Sequence, residues 1–506
     1  MTPIRAKLNA AWKFARMAYK NPLTVQNRYE AGRRWQWGDR SWIWSYVTDA
    51  RFDADSATRV EMVRKARFFE ANNGLVQRLA DLWEQYTVGA NGLTILPDSS
   101  DEKWNDAAAQ WFDEWALYPD LITLQNWATI QSLIARTWFI DGEVFIIKTR
   151  GETPPYRPRI QLVEGHRVGT PPGMVNLEGR GICDGVEIDG KGRPTFYHIQ
   201  TGFDAQNFDR VPAANVIHIF EPPRIGMYRG LTHFYAVMNQ LHDLDDLEKL
   251  EMDAAKEAAS RKARIYTESG ELPDDENNAW TEQTNQTPQM NPQKAYYEQK
   301  FGASTTVMFK GDKYEENVSN RPSVAQQWYW NYLGEKVCVG SAGIPLILVY
   351  PDKAQGTVYR GALDMAAVNF RARSAILAAA FTNVRNYVID SGSAIDTRIA
   401  HKPKDWQNVV AIPPRSVNVD VGRNSTAMLA ELAAGTRNFA GVYGELGQYW
   451  KPQMAQKFKE LEYAKKLAGT SKFGTTAAEI TDIAAVPPPP TPDELLTKGG
   501  SNAAAK

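Results

Sequence analysis

The chain has 506 residues, 43% of them hydrophobic, which predicts two to four domains with real cores. A formal net charge of -1 and a sequence pI near 6.6 argue against a protein that binds duplex DNA tightly over its whole surface. Two cysteines, Cys183 and Cys338, are too few for a disulfide framework, and the sequence has no apolar run of 18 residues that would predict a membrane span.

The N-terminal segment MTPIRAKLNAAWKFARMAYK predicts a basic amphipathic helix rather than a secretory signal, because its apolar residues are not continuous. This helix either packs on its own domain or contacts nucleic acid or a partner, and the sequence leaves both open. From Ala57 to Tyr86 apolar residues recur at three- and four-residue steps, which predicts a helix followed by an extended piece at 93–97. A second helix, LQNWATIQSLIARTWFIDG, is predicted to stop at Gly142.

Short β-rich runs separated by turn residues follow this helix. They are EVFIIKTR, RIQLVEGHRV, GVEIDGKGRPTFYHIQ and NVIHIFEPP. The third is predicted to be a hairpin, because Asp189-Gly190 stands between β-branched and aromatic residues. Residues up to about Pro223 therefore predict an α+β domain with its helices first and its strands after.

The next segment has no glycine or proline between Gly230 and Gly270. Its density of Leu, Met, Ala, Glu and Lys predicts one helix of about 34 residues, ~51 Å long. A polar, acidic insert follows, and then a second helix, SVAQQWYWNYLGEKVCVGSAG, that ends near Gly343. Two long helices joined by an insert fit either a ring of many copies, whose neighbours bury each other's flanks, or an intramolecular bundle.

Beyond Gly343 the sequence predicts a loop and then a long alanine-rich helix. A last set of helices covers about Arg423 to Leu467. The end of the chain, AAVPPPPTPDELLTKGGSNAAAK, is Pro-rich and of low complexity, which predicts disorder.

Patterns that resemble catalytic sites each lack a required residue. Gly185, Gly190 and Lys191 have phosphate-loop spacing, but Gly192 stands where the loop needs Ser or Thr. Ser341 lacks the first glycine of a G-x-S-x-G elbow. The six histidines show no H-E-x-x-H pattern and no metal-ligand spacing.

Acidic residues cluster on the predicted long helix, where they fan around its surface between leucines. They are Asp243, Asp245, Asp246, Glu248 and Glu251. We interpret them as a solvated face with Lys249 and Lys256 as partners rather than as a metal site. The sequence therefore predicts no catalytic residue, no cofactor and no metal.

A series of short motifs occurs in a fixed order over residues 60 to 470. They are Asn72-Asn73 with Gly74-Leu75-Val76, Val88-Gly89-Ala90-Asn91-Gly92-Leu93, Asp141-Gly142-Glu143-Val144-Phe145, Gln161-Leu162-Val163-Glu164, Gly185-Val186-Glu187-Ile188-Asp189, Gly192-Arg193-Pro194, Val211-Pro212-Ala213, His218-Ile219-Phe220, Arg229-Gly230 and Gly343-Ile344-Pro345. This order resembles the lambda-type family of portal proteins of tailed bacteriophages. The chain departs from the family pattern at Tyr359-Arg360-Gly361-Ala362-Leu363, where a Tyr-Ser-Ser-Ala-Arg-like start of the next helix is expected, and at Val421, where proline is expected.

The resemblance implies a mostly helical portal fold with an α+β wing, a two-helix stem, a small α/β clip and a helical crown, assembled as a ring. Its expected divisions are the wing at 1–230, stem helices at 231–265 and 322–343, the clip at 266–321, a tunnel loop, long helix and wing return at 344–422, crown helices at 423–470 and a disordered tail at 471–506.

The resemblance also implies site residues. Residues about 349–361 would form a tunnel loop that lines a DNA channel, with Lys353, Gln355, Gly356, Thr357, Tyr359 and Arg360. The clip would contact a terminase and neck proteins through Asp274, Asp275, Glu276 and Trp280. The end of the first stem helix would carry Arg261, Lys262 and Arg264, either in salt bridges between subunits or at the channel.

The implied function is a ring, dodecameric in the particle, at one capsid vertex, through which DNA is packaged and ejected. Its implied partners are copies of itself, the terminase large subunit, head-completion or adaptor proteins, major capsid and scaffolding proteins, and double-stranded DNA. No membrane is implied as a partner. The implied location is the virion, and the host cytoplasm during assembly. The alternatives are a nucleic-acid-processing enzyme, a packaging-motor subunit, or an adaptor or scaffold protein.

Overall fold

The computed structural model describes residues 49–121, 124–202, 207–260, 264–266, 306–308, 324–351, 356–414 and 421–470. The chain divides into two compact units, one of Met1–Met238 with Val337–Lys506 and one of Asn239–Lys336. The predicted N-terminal helix and the Pro-rich tail lie outside the described residues.

Helices and strands both contribute to the structure, which confirms the predicted mixed fold class. The helices are α1 (Ser56–Asn72), α2 (Gly74–Thr87), α3 (Glu102–Ala116), α4 (Trp127–Asp141), α5 (Met238–Ser260), α6 (Val324–Ala342), α7 (Leu346–Val349), α8 (Gly356–Gly392), α9 (Val421–Ala433), α10 (Phe439–Glu445) and α11 (Trp450–Thr470). The strands are β1 (Thr94–Pro97), β2 (Glu143–Arg150), β3 (Pro158–Glu164), β4 (Ile182–Cys183), β5 (Val186–Ile188), β6 (Pro194–Gln200), β7 (Phe208–Pro212), β8 (Val216–Phe220), β9 (Arg264–Tyr266), β10 (Thr306–Met308) and β11 (Val409–Ile412).

Helices α1 and α2 replace the single helix predicted from Ala57 to Tyr86. Asn73 interrupts it with an extended φ of -123°, and its Oδ1 accepts hydrogen bonds from the backbone N–H groups of Leu75 (3.0 Å) and Val76 (3.3 Å). An asparagine that caps a helix satisfies N–H groups that have no partner within that helix. A new helix therefore starts at this point although the apolar spacing continues through it, and the prediction of one helix was wrong.

Helix α4 ends as predicted at Gly142, which has a left-handed φ of +87°. A Cβ atom at this position would lie 2.0 Å from the carbonyl carbon of Leu231, so both the conformation and the available space require glycine. The reversal at Gly142 lets β2 start immediately, at Glu143.

The predicted strands are confirmed, and in the first unit they form antiparallel sheets. One sheet has the order β3-β2-β8 and another the order β4-β5-β6-β7, in which β5 and β6 form the predicted hairpin. The predicted extended piece at 93–97 is confirmed as β1, which pairs with β11 from the C-terminal half of the chain. An apolar cluster holds the larger sheets together; it contains Phe145, Val163, Val168, Val186, Tyr197, Ile199 and Val216.

The predicted alanine-rich helix is confirmed as α8, which buries one face along its length. Its buried residues include Leu363, Ala366, Phe370, Ser374, Leu377 and Phe381. Because they recur at three- and four-residue steps, one side of the helix packs against the rest of the first unit. Helices α9, α10 and α11 confirm the predicted last set of helices.

Helix α5 has 23 residues, so the prediction of about 34 was wrong. Residues 231–237 form tight turns instead, with backbone hydrogen bonds from Tyr235 to Thr232 (3.0 Å) and from Val237 to Phe234 (3.0 Å). The backbone N–H of His233 donates to the carbonyl oxygen of Phe139 (3.2 Å). Tertiary contacts to α4 therefore outweigh the helix propensity of this segment.

The second predicted long helix is confirmed as α6, which ends one residue before Gly343. In the second unit, β9 and β10 pair in parallel, with Arg264 opposite Thr306. Among the helices that the structure describes, none is both long enough and apolar enough to cross a membrane.

Candidate functional site

The predicted tunnel loop is shorter than expected, because its second half is helical. Gly356, Thr357, Tyr359 and Arg360 lie in the first two turns of α8, and Arg360 Nε donates to the carbonyl oxygen of Gly356 (3.1 Å). Their expected place in a loop was therefore wrong, and their place along a channel stays a prediction. Lys353 and Gln355 lie outside the described residues.

Most of the other predicted contact residues also lie outside the described part of the chain. These are Asp274, Asp275, Glu276 and Trp280 of the clip and Arg261 and Lys262 of the stem. Arg264 is placed by its backbone in β9 rather than in the helix predicted to include it. The roles of these residues stay predictions.

A left-handed turn at Gly343 controls how the chain leaves α6. Gly343 has a φ of +66°, and its N–H donates to the carbonyl oxygen of Val339 (3.0 Å). Asn369 of α8 donates from Nδ2 to the carbonyl oxygen of Gly343 (3.2 Å), and a Cβ at position 343 would lie 2.3 Å from that nitrogen. The Gly-Ile-Pro motif therefore fixes the end of α6 against α8, with Ile344 fully buried behind it.

The middle of α8 is anchored on α2. The ring of Phe370 stacks on Tyr86 at 4.8 Å and 14°, and Ser374 Oγ donates to the carbonyl oxygen of Thr87 (2.7 Å). Burial, together with the nearby Tyr359, raises the pKa of Tyr86. Tyr350, which begins the short connection between α7 and α8, is exposed.

A fully buried carboxylate, Glu143, lies at the start of β2 and organises the same unit. Its Oε1 is 2.6 Å from Arg229 Nη2 and 3.1 Å from Arg59 Nη1. Its Oε2 accepts hydrogen bonds from the N–H of Gly230 (2.9 Å) and from His218 Nε2 (3.1 Å). One carboxylate therefore joins α1, β2, β8 and the segment before α5.

A second carboxylate, Asp184, balances the charge of this group. Its Oδ2 lies 2.7 Å from Arg59 Nε and 3.2 Å from Arg229 Nη1, and Arg229 also donates to the carbonyl oxygens of Val168 (2.9 Å) and Gly165 (2.6 Å). Two guanidinium groups thus face two carboxylates. We call these residues the Glu143 cluster: Glu143, Asp184, Arg59, Arg229 and His218.

The charges of the Glu143 cluster are mutually stabilised. Burial alone would raise the pKa of Glu143, but Arg229, Arg59 and the hydrogen bond from His218 outweigh it and hold that pKa well below its usual range. The same two arginines lower the pKa of Asp184 against its own burial. Burial lowers the pKa of His218, so the imidazole is neutral and donates its Nε2 proton to Glu143.

Every oxygen of Glu143 is occupied by donors, which leaves it no means to act as a base or a metal ligand. Within the described residues no group of three His, Cys, Asp or Glu side chains is arranged to hold a metal ion. On α5, Lys249 pairs with Asp245 (2.5 Å) and Lys256 with Asp253 (3.6 Å), as expected of a solvated face. The geometry thus favours a structural role for these charged groups.

In the sequence, Asp141-Gly142-Glu143, His218 and Arg229-Gly230 were identified only as separate motifs. That these residues contact one another was not predicted. One signal was available in the strand EVFIIKTR, where Glu143 precedes four apolar residues. A charged residue beside such a run is buried only when it is paired. The sequence alone does not show which arginine supplies the pair.

Comparison with protein families finds a match to the lambda family of phage portal proteins over residues 40–333, more than half of the chain. A probable portal protein of Halomonas phage phiHAP-1 is 25% identical over 212 residues, which cover 39% of this chain and 41% of that protein. The portal protein of Escherichia phage N15 is 30% identical over 140 residues, 25% of this chain and 26% of its own length. Portal protein B of Escherichia phage lambda is 28% identical over 140 residues, with the same coverage.

These alignments span less than half of the length of each curated relative. Among solved structures, a chain from the neck of a native gene transfer agent particle aligns over 76% of this chain and 92% of its own length, with a TM-score of 0.41 and 13% identity.

Proposed function

Because this chain belongs to the lambda family of phage portal proteins, we propose that it forms a ring at one capsid vertex through which viral DNA is packaged and ejected. The family match over residues 40–333 carries the proposal, since it runs from the predicted wing through α5 and into α6. We expect the ring to contain about twelve copies, as the resemblance implies, and to act as a structural conduit without catalysis.

The charge of α5 supports a conduit. Between residues 243 and 253 this helix carries Asp243, Asp245, Asp246, Glu248, Glu251 and Asp253 against a single lysine, Lys249. Each cation that pairs with a phosphate adds affinity for DNA through the release of counterions. A channel wall that is rich in carboxylates lets the duplex slide instead of holding it.

The segment between α6 and α8 supports a channel loop. It begins at the Gly343 turn, which Asn369 of α8 holds, and it exposes Tyr350 before α8 starts at Gly356. Lys353 and Gln355 lie in the middle part of this segment, between Tyr350 and Gly356. We propose this middle part, with the first turn of α8, as the part that meets DNA.

The proposed partners follow from the same assignment. The insert between α5 and α6, with Asp274, Asp275, Glu276 and Trp280, would meet the terminase large subunit and then the head-completion proteins. Capsid and scaffolding proteins would surround the ring in the particle, and assembly would take place in the host cytoplasm.

Electron microscopy of the purified protein, with a mass measurement, tests the proposal. Rings of about twelve copies with a central hole near the width of a duplex are expected. A folded monomer or dimer under all conditions would overturn the proposal and reopen the enzyme and motor-subunit alternatives. An ATP hydrolysis assay on the same sample separates a motor subunit, which turns over ATP, from a conduit, which does not.

A further inference from the structure

In the second unit α5 and α6 are joined by a polar contact between their facing sides. Trp330 Nε1 of α6 donates to Glu248 Oε1 of α5 (2.8 Å). Leu241 and Leu244 of α5 and Leu333 of α6 are buried. These residues mark the inner side of each helix, and each helix therefore has an outer side that points away from the other.

The outer side of α6 is aromatic. Trp328, Tyr329 and Tyr332 are 64%, 45% and 40% exposed, and the rings of Trp328 and Tyr332 stack at 5.4 Å and 6°. Lys336 places its ammonium 4.5 Å from the centre of the Tyr332 ring. At about 100° per residue, Tyr332 lies on the side of the helix opposite Trp330. We call Trp328, Tyr329, Tyr332 and Lys336 the aromatic face.

The outer side of α5 combines carboxylates with one exposed leucine. Asp246, Leu250 and Asp253 follow one another at four- and three-residue steps and so share one side of the helix. Leu250 is 62% exposed. The side chains of Asp246 and Asp253 are 46% and 66% exposed, and each also lies near a partner on α5, His242 (3.3 Å) and Lys256 (3.6 Å) respectively. By the same rotation Leu250 lies opposite Glu248. We call these three residues the acidic face.

We propose that the aromatic face of one copy binds the acidic face of the next copy, an inference that rests on the ring proposed above. The two faces match in chemistry: indole and phenol groups and the Lys336 ammonium can donate to the two carboxylates, while Leu250 lies against the rings. Exposed Trp and Tyr side chains are typical of the central residues of protein interfaces. The Trp330–Glu248 hydrogen bond shows the same pairing of indole and carboxylate inside one chain.

The positions of the two faces favour a ring over a two-fold dimer. They lie on opposite sides of one helix pair, so each copy can offer a different face to each neighbour, and such heterologous contacts close into rings. A two-fold contact would instead put the acidic face against itself, and like charges would repel. Duplex DNA is a poor occupant of the acidic face, because its carboxylates repel phosphate.

A double-cysteine variant tests the contact. Tyr332→Cys combined with Leu250→Cys places one thiol on each face, and mild oxidation is expected to give a ladder of covalent multimers up to the full ring. Each single variant is expected to stay uncross-linked, because neither face meets its own copy. Covalent dimers from Tyr332→Cys alone would show a two-fold contact and overturn the proposal. The proposal would also be overturned if the double variant forms rings but gives no covalent multimers after oxidation.

A charge exchange tests the same contact without oxidation. Lys336→Glu and Asp253→Lys are each expected to weaken ring assembly about tenfold, and the combined variant is expected to restore most of it, as a close charge pair predicts. Lys459→Glu, the same change at an exposed lysine of α11, is the control and should assemble normally. Equal weakening by the control, or no restoration in the combined variant, would contradict the pairing.

These experiments separate the inference from the function on which it rests. If the unmodified protein forms no ring, the proposed function fails. If it forms rings that both charge variants leave intact, only the assignment of the two faces fails.

Discussion

Arg229 and Glu143 form a buried ion pair, with Arg229 Nη2 2.6 Å from Glu143 Oε1 and only 6% and 0% of the two side chains exposed. The pair links the segment before α5 to the first residue of β2, and Arg59 and Asp184 complete its charge balance. A buried ion pair contributes little to the net free energy of folding. The loss of one partner is costly, however, because it leaves an uncompensated charge out of contact with water.

We therefore predict that Glu143→Gln destabilises the folded chain by about 3–5 kcal/mol, the usual cost when one member of a buried pair is removed. The measurement is unfolding by urea, followed by the loss of helical signal at neutral pH. Glu335→Gln, the same change at an exposed position of α6, is the control and should cost less than about 0.5 kcal/mol. Equal effects of the two changes would contradict the role given to the Glu143 cluster.

Gly142→Ala is predicted to prevent the correct folding of the first unit. The left-handed φ of +87° already disfavours alanine, and its Cβ would lie 2.0 Å from both the carbonyl carbon and the carbonyl oxygen of Leu231. We expect little soluble protein, or a loss of stability of at least several kcal/mol. The matched control is Gly190→Ala in the β5–β6 turn, where a Cβ meets nothing within 4 Å, and a native-like melting temperature is expected.

The periodic parts of the fold could be predicted from the sequence because they depend on local pattern. The β-branched and aromatic strands β2 and β8, the Asp189-Gly190 hairpin and the stop of α4 at Gly142 all follow from residue types within a few positions. The errors arise where distant contacts decide the outcome. Residues 231–237 have the composition of a helix, but they turn because His233 and its neighbours are held by α4.

The candidate site was less predictable than the fold, for a physical reason. The Glu143 cluster joins residues that are 45 to 125 positions apart, such as Asp184 to Arg229 and Arg59 to Asp184, and no local pattern reports a contact of that kind. The helix α3 was also not predicted, although Trp104, Trp111 and Trp115 are all buried along one of its sides. Their spacing of seven and four residues was a usable signal.

Folding stability is predicted to fall with acid through His233. This imidazole lies 4.7 Å from the Trp83 ring and donates from Nδ1 to the carbonyl oxygen of Phe139 (3.2 Å). Burial, aided by Arg373, lowers its pKa from 6.5 to about 4. Below pH 6.5 the unfolded chain therefore binds a proton that the folded chain does not bind until about pH 4, and the free energy of unfolding decreases across this window.

We expect His233 to contribute about 2 kcal/mol to this decrease, less than the full shift implies because the ring is only partly withdrawn from water. The measurement is the free energy of unfolding at pH 7 and at pH 4.5 for the unmodified chain and for His233→Phe, which keeps an aromatic ring but does not titrate. The variant should show a shallower dependence on pH. Parallel pH profiles of the two proteins would contradict the assignment to His233.

Charge reversal of Asp274, Asp275 and Glu276 is predicted to leave rings intact and to impair docking of the packaging motor. The expectation follows from the clip assignment, since a patch that binds a partner can lose its charge without loss of the subunit contacts. Ring mass and binding of the purified terminase large subunit are the two measurements. Reversal of Glu460 and Glu462, both exposed on α11, is the control. Loss of rings in the triple variant would place these residues at a subunit interface instead.

Cysteines at the start of α8 are predicted to report DNA in the channel. Thr357 is exposed, and it is the second residue of α8. If this turn meets the duplex, Thr357→Cys should react with a maleimide in emptied particles and be protected in DNA-filled particles, whereas Ala71→Cys on the exposed side of α1 should react equally in both. Equal labelling of Thr357→Cys in emptied and DNA-filled particles would show that the start of α8 does not line the channel. The contact would then fall on residues 350–355, where Gln355→Cys gives the same measurement two residues earlier in the chain.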